Sequence, residues 1–236
     1  MNAQKWQNAL GKLAVAFVQT PGFVAYHSIP MTPARARLSI KQQAINVKNR
    51  RDQWALLFSR CPELDVRQKI LEHEYEETVK DEYSNHGHLD LVVRQASAVG
   101  LSSAEVLQSE PLPITRAICY AYLWSISYHT WQESLAGLTV NEMKNASSPI
   151  FEKVGGGGSE RGAKRWMQDL GLSADKIPHS DAHSKADKKH GVMFLSVFER
   201  YVPSGAESSV LAAAQKALEL RGTWYEGMSA ELTKIE

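Results

Sequence analysis

A histidine-containing stretch late in the chain has the residue types and spacing best suited to chemistry. Residues 183–190 read His-Ser-Lys-Ala-Asp-Lys-Lys-His, so His183, Asp187 and His190 stand four and three positions apart. On an α-helix these offsets place three side chains on one face, in consecutive turns. Two imidazoles and a carboxylate form a mixed nitrogen and oxygen donor set, which suits iron and other first-row metals. The alternative is a solvated helix face, because lysines surround the triad.

A second group of metal-binding residue types lies upstream. Residues 71–91 contain seven acids, three histidines and a single lysine. Glu77 and His88 are eleven positions apart, about three helical turns, so both can face the same way, and Glu74 and Asp81 flank Glu77. An acidic surface helix is the alternative, but like charges repel unless a cation lies among them.

The third candidate is an acid in the most apolar part of the chain. Helical spacing predicts a buried helix over residues 114–136, and Glu133 falls inside it, one turn after His129. A buried acid is costly unless it is paired or bound to a metal. The alternative is that Glu133 lies beyond the buried stretch and faces water.

These three segments together supply three carboxylates and three imidazoles. The predicted ligands are Glu77, His88, Glu133, His183, Asp187 and His190, with Asp81 as the alternative to Glu77. Helical bundles build carboxylate-bridged dimetal sites from such inward-facing side chains. Iron or manganese is favoured over zinc, because carboxylates are many and no cysteine lies nearby.

The elements that must position these residues are predicted to be almost entirely helical. Apolar residues at helical spacing predict helices over 3–19, 35–60, 65–82, 87–99, 114–136, 160–170, 180–202 and 206–233, with another starting near 139–146. Ser102 and Glu105 form a capping box that opens a short helix. Pro21 and Gly22 are predicted to end the first helix and begin a loop. Strand signals are weak, so the fold class is all-α.

Composition sets further bounds on the chain. Its 236 residues are 43% hydrophobic with a net charge of +1, which implies neither a nucleic-acid nor a membrane-surface partner. Two cysteines and no secretory signal favour a reducing, cytoplasmic location. Residues 155–159 read Gly-Gly-Gly-Gly-Ser, the composition of a flexible linker, and no chemistry is expected there. Since neither flank looks able to form its own core, residues 1–236 are predicted to be a single domain.

The closing His-x3-Asp-x2-His motif resembles that of the haem-oxygenase-like diiron oxidases and oxygenases, relatives of the thiaminase-like and pyrroloquinoline-quinone synthase-like proteins. The helix from His88, with leucine three positions later and a closing Gly-Leu, is similar to the family pattern and selects His88 over His86. The resemblance covers roughly residues 35–230. It implies a helical bundle of about seven or more helices around a dimetal cavity.

The resemblance also implies a chemistry. Members of the family use two Fe(II) ions and O2 as co-substrate to oxidise amino acids, fatty acids or an aromatic residue of the protein itself. Small residues near the ligands, Val92, Ala96 and Ala136, favour a bulky aromatic amino acid such as tryptophan, and Arg94 is the candidate for binding its carboxylate. One branch of the family converts a tryptophan derivative to an indole nitrile. A homodimer is a further expectation.

Other functions remain open at this point. A diiron decarboxylase or desaturase of fatty acids or aliphatic amino acids would use the same ligands. A metal-free thiaminase-like hydrolase would need a nucleophilic cysteine, for which only Cys61 and Cys119 are available. A haem-binding protein or a helical interaction module would need no carboxylate cluster.

Overall fold

The computed structural model describes residues 1–146 and 148–236, with every side chain in them except that of Ser184. Its helices are α1 (Ala3–Phe17), α2 (Pro21–Ser28), α3 (Pro33–Arg60), α4 (Leu64–Thr78), α5 (His88–Ser97), α6 (Ser103–Leu107), α7 (Pro113–Tyr128), α8 (Trp131–Met143), α9 (Gly158–Leu170), α10 (Pro178–Met193), α11 (Leu195–Tyr201) and α12 (Glu207–Thr233). Short 3₁₀ turns cover Pro149–Val154 and Ala174–Lys176. No strand occurs in the described residues, so the predicted all-α class is confirmed.

Local sequence signals explain where several helices begin. The capping box predicted at Ser102 is present: its hydroxyl accepts from the backbone N–H of Glu105, whose carboxylate accepts from the N–H of Ser102. Pro21 begins α2 instead of opening a loop, because proline fits the first turn of a helix, where its missing N–H is not needed. The loop prediction after residue 20 was therefore wrong.

Helix α8 lies at the centre of the fold. It packs against α12, α10, α1 and α3, and each residue from Ser134 to Met143 is buried. Gly137 lets α8 approach α12 closely, because a β-carbon at Gly137 would lie 3.0 Å from the β-carbon of Ala217 on α12. No helix among the described residues is both long enough and apolar enough to cross a membrane.

The glycine run forms a turn of defined conformation that leads into α9. Gly155 and Gly156 adopt positive φ angles of 87° and 93°, which glycine accepts without strain. A β-carbon on Gly157 would lie 2.6 Å from the carbonyl oxygen of Ala146, and Gly158 donates its N–H to the carbonyl of Lys144 at 2.9 Å. Only glycine permits this close approach to the end of α8. Residues 158 and 159 thus belong to the first turn of α9.

Candidate metal centre

Glu77, near the end of α4, lies at the centre of a buried cluster. Its Oε2 is 3.0 Å from Nδ1 of His88 and 3.0 Å from Nη2 of Arg51, and its Oε1 is 3.1 Å from Nδ1 of His190. Burial alone would raise the pKa of Glu77, but His88 and Arg51 hold it well below its usual range. Glu77 is therefore an anion that faces two imidazole nitrogens from different helices.

Each of these two histidines has a second carboxylate behind it. Nε2 of His88 lies 3.4 Å from Oδ2 of Asp81, and Nε2 of His190 lies 3.0 Å from Oε2 of Glu76. Histidine ligands in metal sites commonly donate their outer ring N–H to a carboxylate in this way, which fixes the ring and the tautomer. Asp81, the sequence alternative to Glu77, lies behind His88 and belongs to none of the donor groups described below.

The carboxylates also govern the protonation of the two rings. Burial lowers the pKa of His88, but Glu77 and Asp81 outweigh it and raise the pKa to about 10. The pKa of His190 rises to about 9, again against the effect of burial, because Glu77 and Glu142 lie nearby. Without a metal both rings bind a proton at neutral pH, and a metal ion would replace that proton.

The triad predicted from spacing lies on α10. Nδ1 of His183 is 2.8 Å from Oδ2 of Asp187, and the Ser159 hydroxyl donates to the same oxygen at 3.2 Å. The other oxygen, Oδ1, is buried without a hydrogen-bond partner. Burial raises the pKa of Asp187, partly offset by His183. The last residue of the glycine-rich segment therefore contacts the cluster, although no chemistry was expected there.

The carboxylate on the middle helix is Glu142 and not Glu133. Glu142 is 3% exposed in the last turn of α8. Glu133 lies in the first turn of α8, where its Oε2 accepts from the backbone N–H of Thr130 at 2.9 Å and from its hydroxyl at 3.0 Å. The predicted helix over 114–136 is two helices, so Glu133 caps the second one and lies outside the cluster.

Three overlapping groups of side chains bring donor atoms within 4.8 Å of one another. They are His73, Glu77 and His190; Glu77, His88 and His183; and Glu142, Asp187 and His190. His73, which sequence reasoning missed, stands four positions before Glu77 on α4, the same spacing as His183 and Asp187. It is fully buried against the ring of Trp54, at a centroid distance of 4.3 Å.

This donor set fits iron. Only nitrogen and oxygen atoms are offered, without a cysteine, which is the ligand chemistry of non-haem iron. Buried polar atoms are normally hydrogen-bonded, and those that are not call for an explanation. Five buried cluster atoms make no well-aligned hydrogen bond. His73 Nε2 and Asp187 Oδ1 have no partner, whereas Glu77 Oε1, His88 Nδ1 and His190 Nδ1 lie within 3.1 Å of an opposite charge without hydrogen-bond geometry. Ligation of metal ions would satisfy these atoms.

A polar cavity in two adjoining parts lies beside the cluster. The aromatic chamber is lined by Tyr26, Trp166, His179 and Ser180, among others. The cationic chamber is lined by Arg50, Arg51, Lys144 and Arg221 together with Glu77 and Glu142. Both parts share Gln43, Asn145, His183, Trp224 and Tyr225. The two adjoining chambers thus differ in character: one has aromatic walls, and the other has basic groups beside the metal-binding cluster.

The residues predicted to bind substrate do not line either chamber. Arg94 is about half exposed and pairs with Asp90, its Nε lying 2.9 Å from Oδ2. Val92, Ala96 and Ala136 are fully buried in the two hydrophobic cores, where apolar side chains surround them. Their closeness in sequence to His88 and Glu133 suggested a cavity position, but they lie on the faces of α5 and α8 that pack against other helices.

An all-helical bundle with buried imidazoles and carboxylates in overlapping groups defines a class of protein built to hold metal ions. Residues 37–222 match the family model described as iron-containing redox enzyme, so the chain belongs to that family. The resemblance drawn from the closing histidine motif is thereby confirmed at the level of the family. No curated protein sequence matches the chain.

Solved structures show the same fold. A domain of unknown function with a haem oxygenase-like fold from Shewanella denitrificans superposes with a TM-score of 0.73 at 17% identity, over 99% of this chain and 94% of that one. A CADD-like protein of unknown function from Nostoc punctiforme gives 0.75 at 14% identity, over 97% of both chains. A TenA homologue from P. horikoshii gives 0.67 at 11% identity, over 96% and 97%. These likenesses establish a haem oxygenase-like fold.

Proposed function

We propose that this protein is a non-haem diiron oxidase or oxygenase that uses O2 as co-substrate. The observation that carries the proposal is the set of overlapping donor groups with five unsatisfied buried atoms. The proposed ligands are Glu77, His88, Glu142, His183, Asp187 and His190, with His73 as a further donor. Seven donors exceed what one ion normally takes, so the set suits two ions, with Glu77 and His190 shared between groups.

The side chains around the ligands have distinct roles in this proposal. Bound Fe(II) would supply the electron transfer to O2 that amino-acid side chains cannot perform. Asp81 and Glu76 orient the imidazoles of His88 and His190 through their outer nitrogens. Arg51 holds Glu77 in place, and burial of the cluster excludes water from the ligands.

The cavity supports an aromatic amino acid, such as tryptophan or a derivative, as the substrate. Rings of Tyr26, Trp166, Trp224 and Tyr225 line it beside His183, and aromatic side chains pack well on an aromatic substrate. The indole N–H of Trp224 already donates to the hydroxyl of Thr115 at 3.1 Å, so its hydrogen-bonding group is satisfied outside the cavity. We propose an oxidative rearrangement at C–C or C–N bonds, with nitrile formation as one outcome, in natural-product biosynthesis.

The proposal is tested by O2 consumption. Protein loaded anaerobically with Fe(II) is mixed with O2 and, one at a time, aromatic amino acids, aliphatic amino acids and fatty acids, and products are identified by mass spectrometry. We expect rapid O2 uptake with an aromatic amino acid, and a product altered at its backbone atoms. O2 uptake that no compound in the panel accelerates, or a product formed without iron, would contradict the proposal.

One feature favours a long aliphatic substrate as the second candidate. An open, mostly apolar groove between α1 and α10 includes Asp187 among its lining residues, with Val15, Met143, Ile150 and Val192. A fatty-acid chain would fit such a surface by burial of its methylene groups. The fatty acids in the panel decide between the two substrate classes.

The hydrolase alternative gains no support from the cysteines. Cys61 and Cys119 are buried, and burial raises the pKa of each thiol, which disfavours the nucleophilic thiolate. Neither cysteine lines the aromatic or the cationic chamber. A nucleophile there would have to come from another residue type.

A further inference from the structure

Arg221 on α12 is a buried cation without a carboxylate partner among the described residues. Its side chain lies over the rings of Tyr122 and Trp224, with centroid distances of 5.5 and 5.3 Å. It forms no salt bridge in the described part of the chain. Its guanidinium is hydrogen-bonded to Tyr122, and its Nε is buried without a hydrogen-bond partner. The residue is only 7% exposed, so its side chain meets solvent or a ligand mainly through the cationic chamber that it lines.

Two more basic groups line the same chamber with few partners. Nη1 of Arg50 has no hydrogen-bond partner, and its Nε is 3.9 Å from Oε1 of Glu142, too far for a hydrogen bond. Lys144 is 3% exposed, forms no salt bridge with a described residue, and donates to the amide oxygen of Asn145 at 2.6 Å. If Glu142 ligates iron, the negative charge of Glu142 is shared with the metal. That charge then compensates the positive charge of Arg50 less.

Arg51 differs from these groups although it lines the same chamber. Its Nη1 lies 2.8 Å from Oε1 of Glu74 and its Nη2 lies 3.0 Å from Oε2 of Glu77. Two carboxylates already hold its guanidinium. Arg221 and Arg50 are therefore the chamber's cations that no carboxylate hydrogen-bonds. Arg50 stays close enough to Glu142 to lower the pKa of that acid to about 2, and burial beside the two arginines lowers the pKa of Lys144 well below its usual range.

We propose that Arg221 and Arg50, with Lys144 as an additional donor, bind the carboxylate of the substrate. Buried cations that no carboxylate hydrogen-bonds are costly, and an entering anion lowers that cost. A guanidinium presents its N–H groups in a planar fork that matches the two oxygens of a carboxylate. The inference rests on the proposed function in one respect: it takes the bound acid to be the compound oxidised at the iron centre.

The location of this carboxylate site orients the substrate. The chamber that holds the basic groups is also lined by Glu77 and Glu142, whereas Tyr26 and Trp166 line the adjoining chamber, where His183 is the one proposed ligand. A carboxylate at Arg221 therefore places the α-carbon and amine in the chamber with Glu77 and Glu142, and directs the aromatic ring toward Tyr26 and Trp166. Oxidation at the amino-acid backbone, and not on the ring, follows from this orientation.

Binding measurements with three indole compounds test the site. The probes are L-tryptophan, indole-3-propionate, which lacks the amine, and tryptamine, which lacks the carboxylate. Isothermal titration is performed anaerobically on the Fe(II)-loaded protein and on metal-free protein. We expect both acids to bind more tightly than tryptamine, by about ten- to a hundredfold, as charge-assisted hydrogen bonds would give.

Variants locate the effect. Arg221→Gln should lower the affinity for indole-3-propionate to that for tryptamine. Arg50→Gln should also lower the affinity for indole-3-propionate. Either variant tests the site if the other fails to fold. Arg94→Gln is the matched control, an arginine outside the cavity, and should bind like the wild type. Equal affinity of the wild type for all three probes, or unchanged acid binding in both cavity variants, would overturn the inference.

The two proposals fail in distinguishable ways. A preference for acids in protein that binds no iron or consumes no O2 would retain the carboxylate site and reject the diiron function. Two bound irons and O2 uptake without a preference for acids would do the reverse.

Discussion

The metal-binding cluster and the cationic chamber lie side by side, and they differ in how buried charge is compensated. In the cluster, carboxylates pair with imidazoles and Arg51, and each of His88 and His190 lies between two acids. In the chamber, Arg221 and Lys144 have no acid partner within the described residues. This difference supports both proposals, that the cluster binds metal cations and that the chamber binds an anion.

The largest effect is expected at Glu142. Glu142→Gln removes a buried ligand charge, so we predict less bound iron and no measurable turnover. Glu133→Gln is the matched control, because glutamine also completes a capping box, and it should keep both iron and activity. Elemental analysis and O2 uptake provide the measurements. Loss of iron in the Glu133 variant but not in the Glu142 variant would show that the sequence assignment was the better one.

Removal of a paired and of an unpaired arginine tests the comparison directly. Arg51→Met leaves Glu77 buried beside one fewer cation, so the free energy of unfolding should fall by about 3 kcal/mol. Arg221→Met removes a charge that has no carboxylate partner, so the change should stay within about 1 kcal/mol. Urea unfolding of the metal-free proteins measures both. Equal destabilisation would mean that Arg221 is compensated as well as Arg51 is.

The pH dependence of the metal-free protein follows from its two carboxylate-backed histidines. The folded-state pKa values of about 10 for His88 and about 9 for His190 lie above the reference value of 6.5. A raised pKa contributes stability that is fully present below 6.5 and is lost as pH rises through the folded value. We therefore predict that the free energy of unfolding falls between pH 7 and pH 10, while metal binding releases protons.

Asp81→Asn serves as the control for this pH effect. It removes one of the two acids that face His88 and so lowers the folded-state pKa of that ring. The fall in stability should still begin near pH 6.5, but it should be smaller and end at a lower pH than in the wild type. A flat profile in the wild type, or an unchanged profile in the variant, would contradict the assigned roles of these carboxylates. Urea unfolding at closely spaced pH values makes the comparison.

The smallest effect is expected at Ser159. Ser159→Ala removes a hydroxyl that donates to Asp187, which should cost about 1 kcal/mol and weaken iron binding by about tenfold or somewhat more. Ser127→Ala, which removes an exposed hydroxyl bonded to the carbonyl of Leu123, is the control. Iron titration with a competing chelator measures the change. If both variants bind iron like the wild type, Ser159 does not position Asp187.

The sequence predicts those parts of the site whose residues lie on a single helix. The spacing within residues 183–190 was sufficient, because one helix positions all three side chains. Glu133 lies outside the cluster because it forms a capping box with Thr130, the same motif that Ser102 and Glu105 form at the start of α6. His73 carried a usable signal in its i, i+4 relation to Glu77. The relations between side chains on one helix are therefore predictable from residue spacing.

Contacts between helices could not be read in this way. Arg50 and Arg221 are 171 positions apart in the sequence, and only the packing of α3 near α12 brings them to one chamber. The glycine run has the composition of a linker, and the carbonyl groups that Gly157 approaches lie just beyond the end of α8, so the sequence alone does not show this contact. The all-α fold was predictable from periodicity, but the cationic chamber required the tertiary structure.

Iron stoichiometry tests the central claim most directly. Metal-free protein is loaded anaerobically with excess Fe(II), freed of unbound metal, and analysed for iron and protein in the same sample. We predict two iron ions per chain, and fewer in the Asp187→Ala variant, with unchanged helical content by circular dichroism. One iron or none in the wild type, or full loading of the Asp187 variant, would contradict a two-iron centre built from these residues.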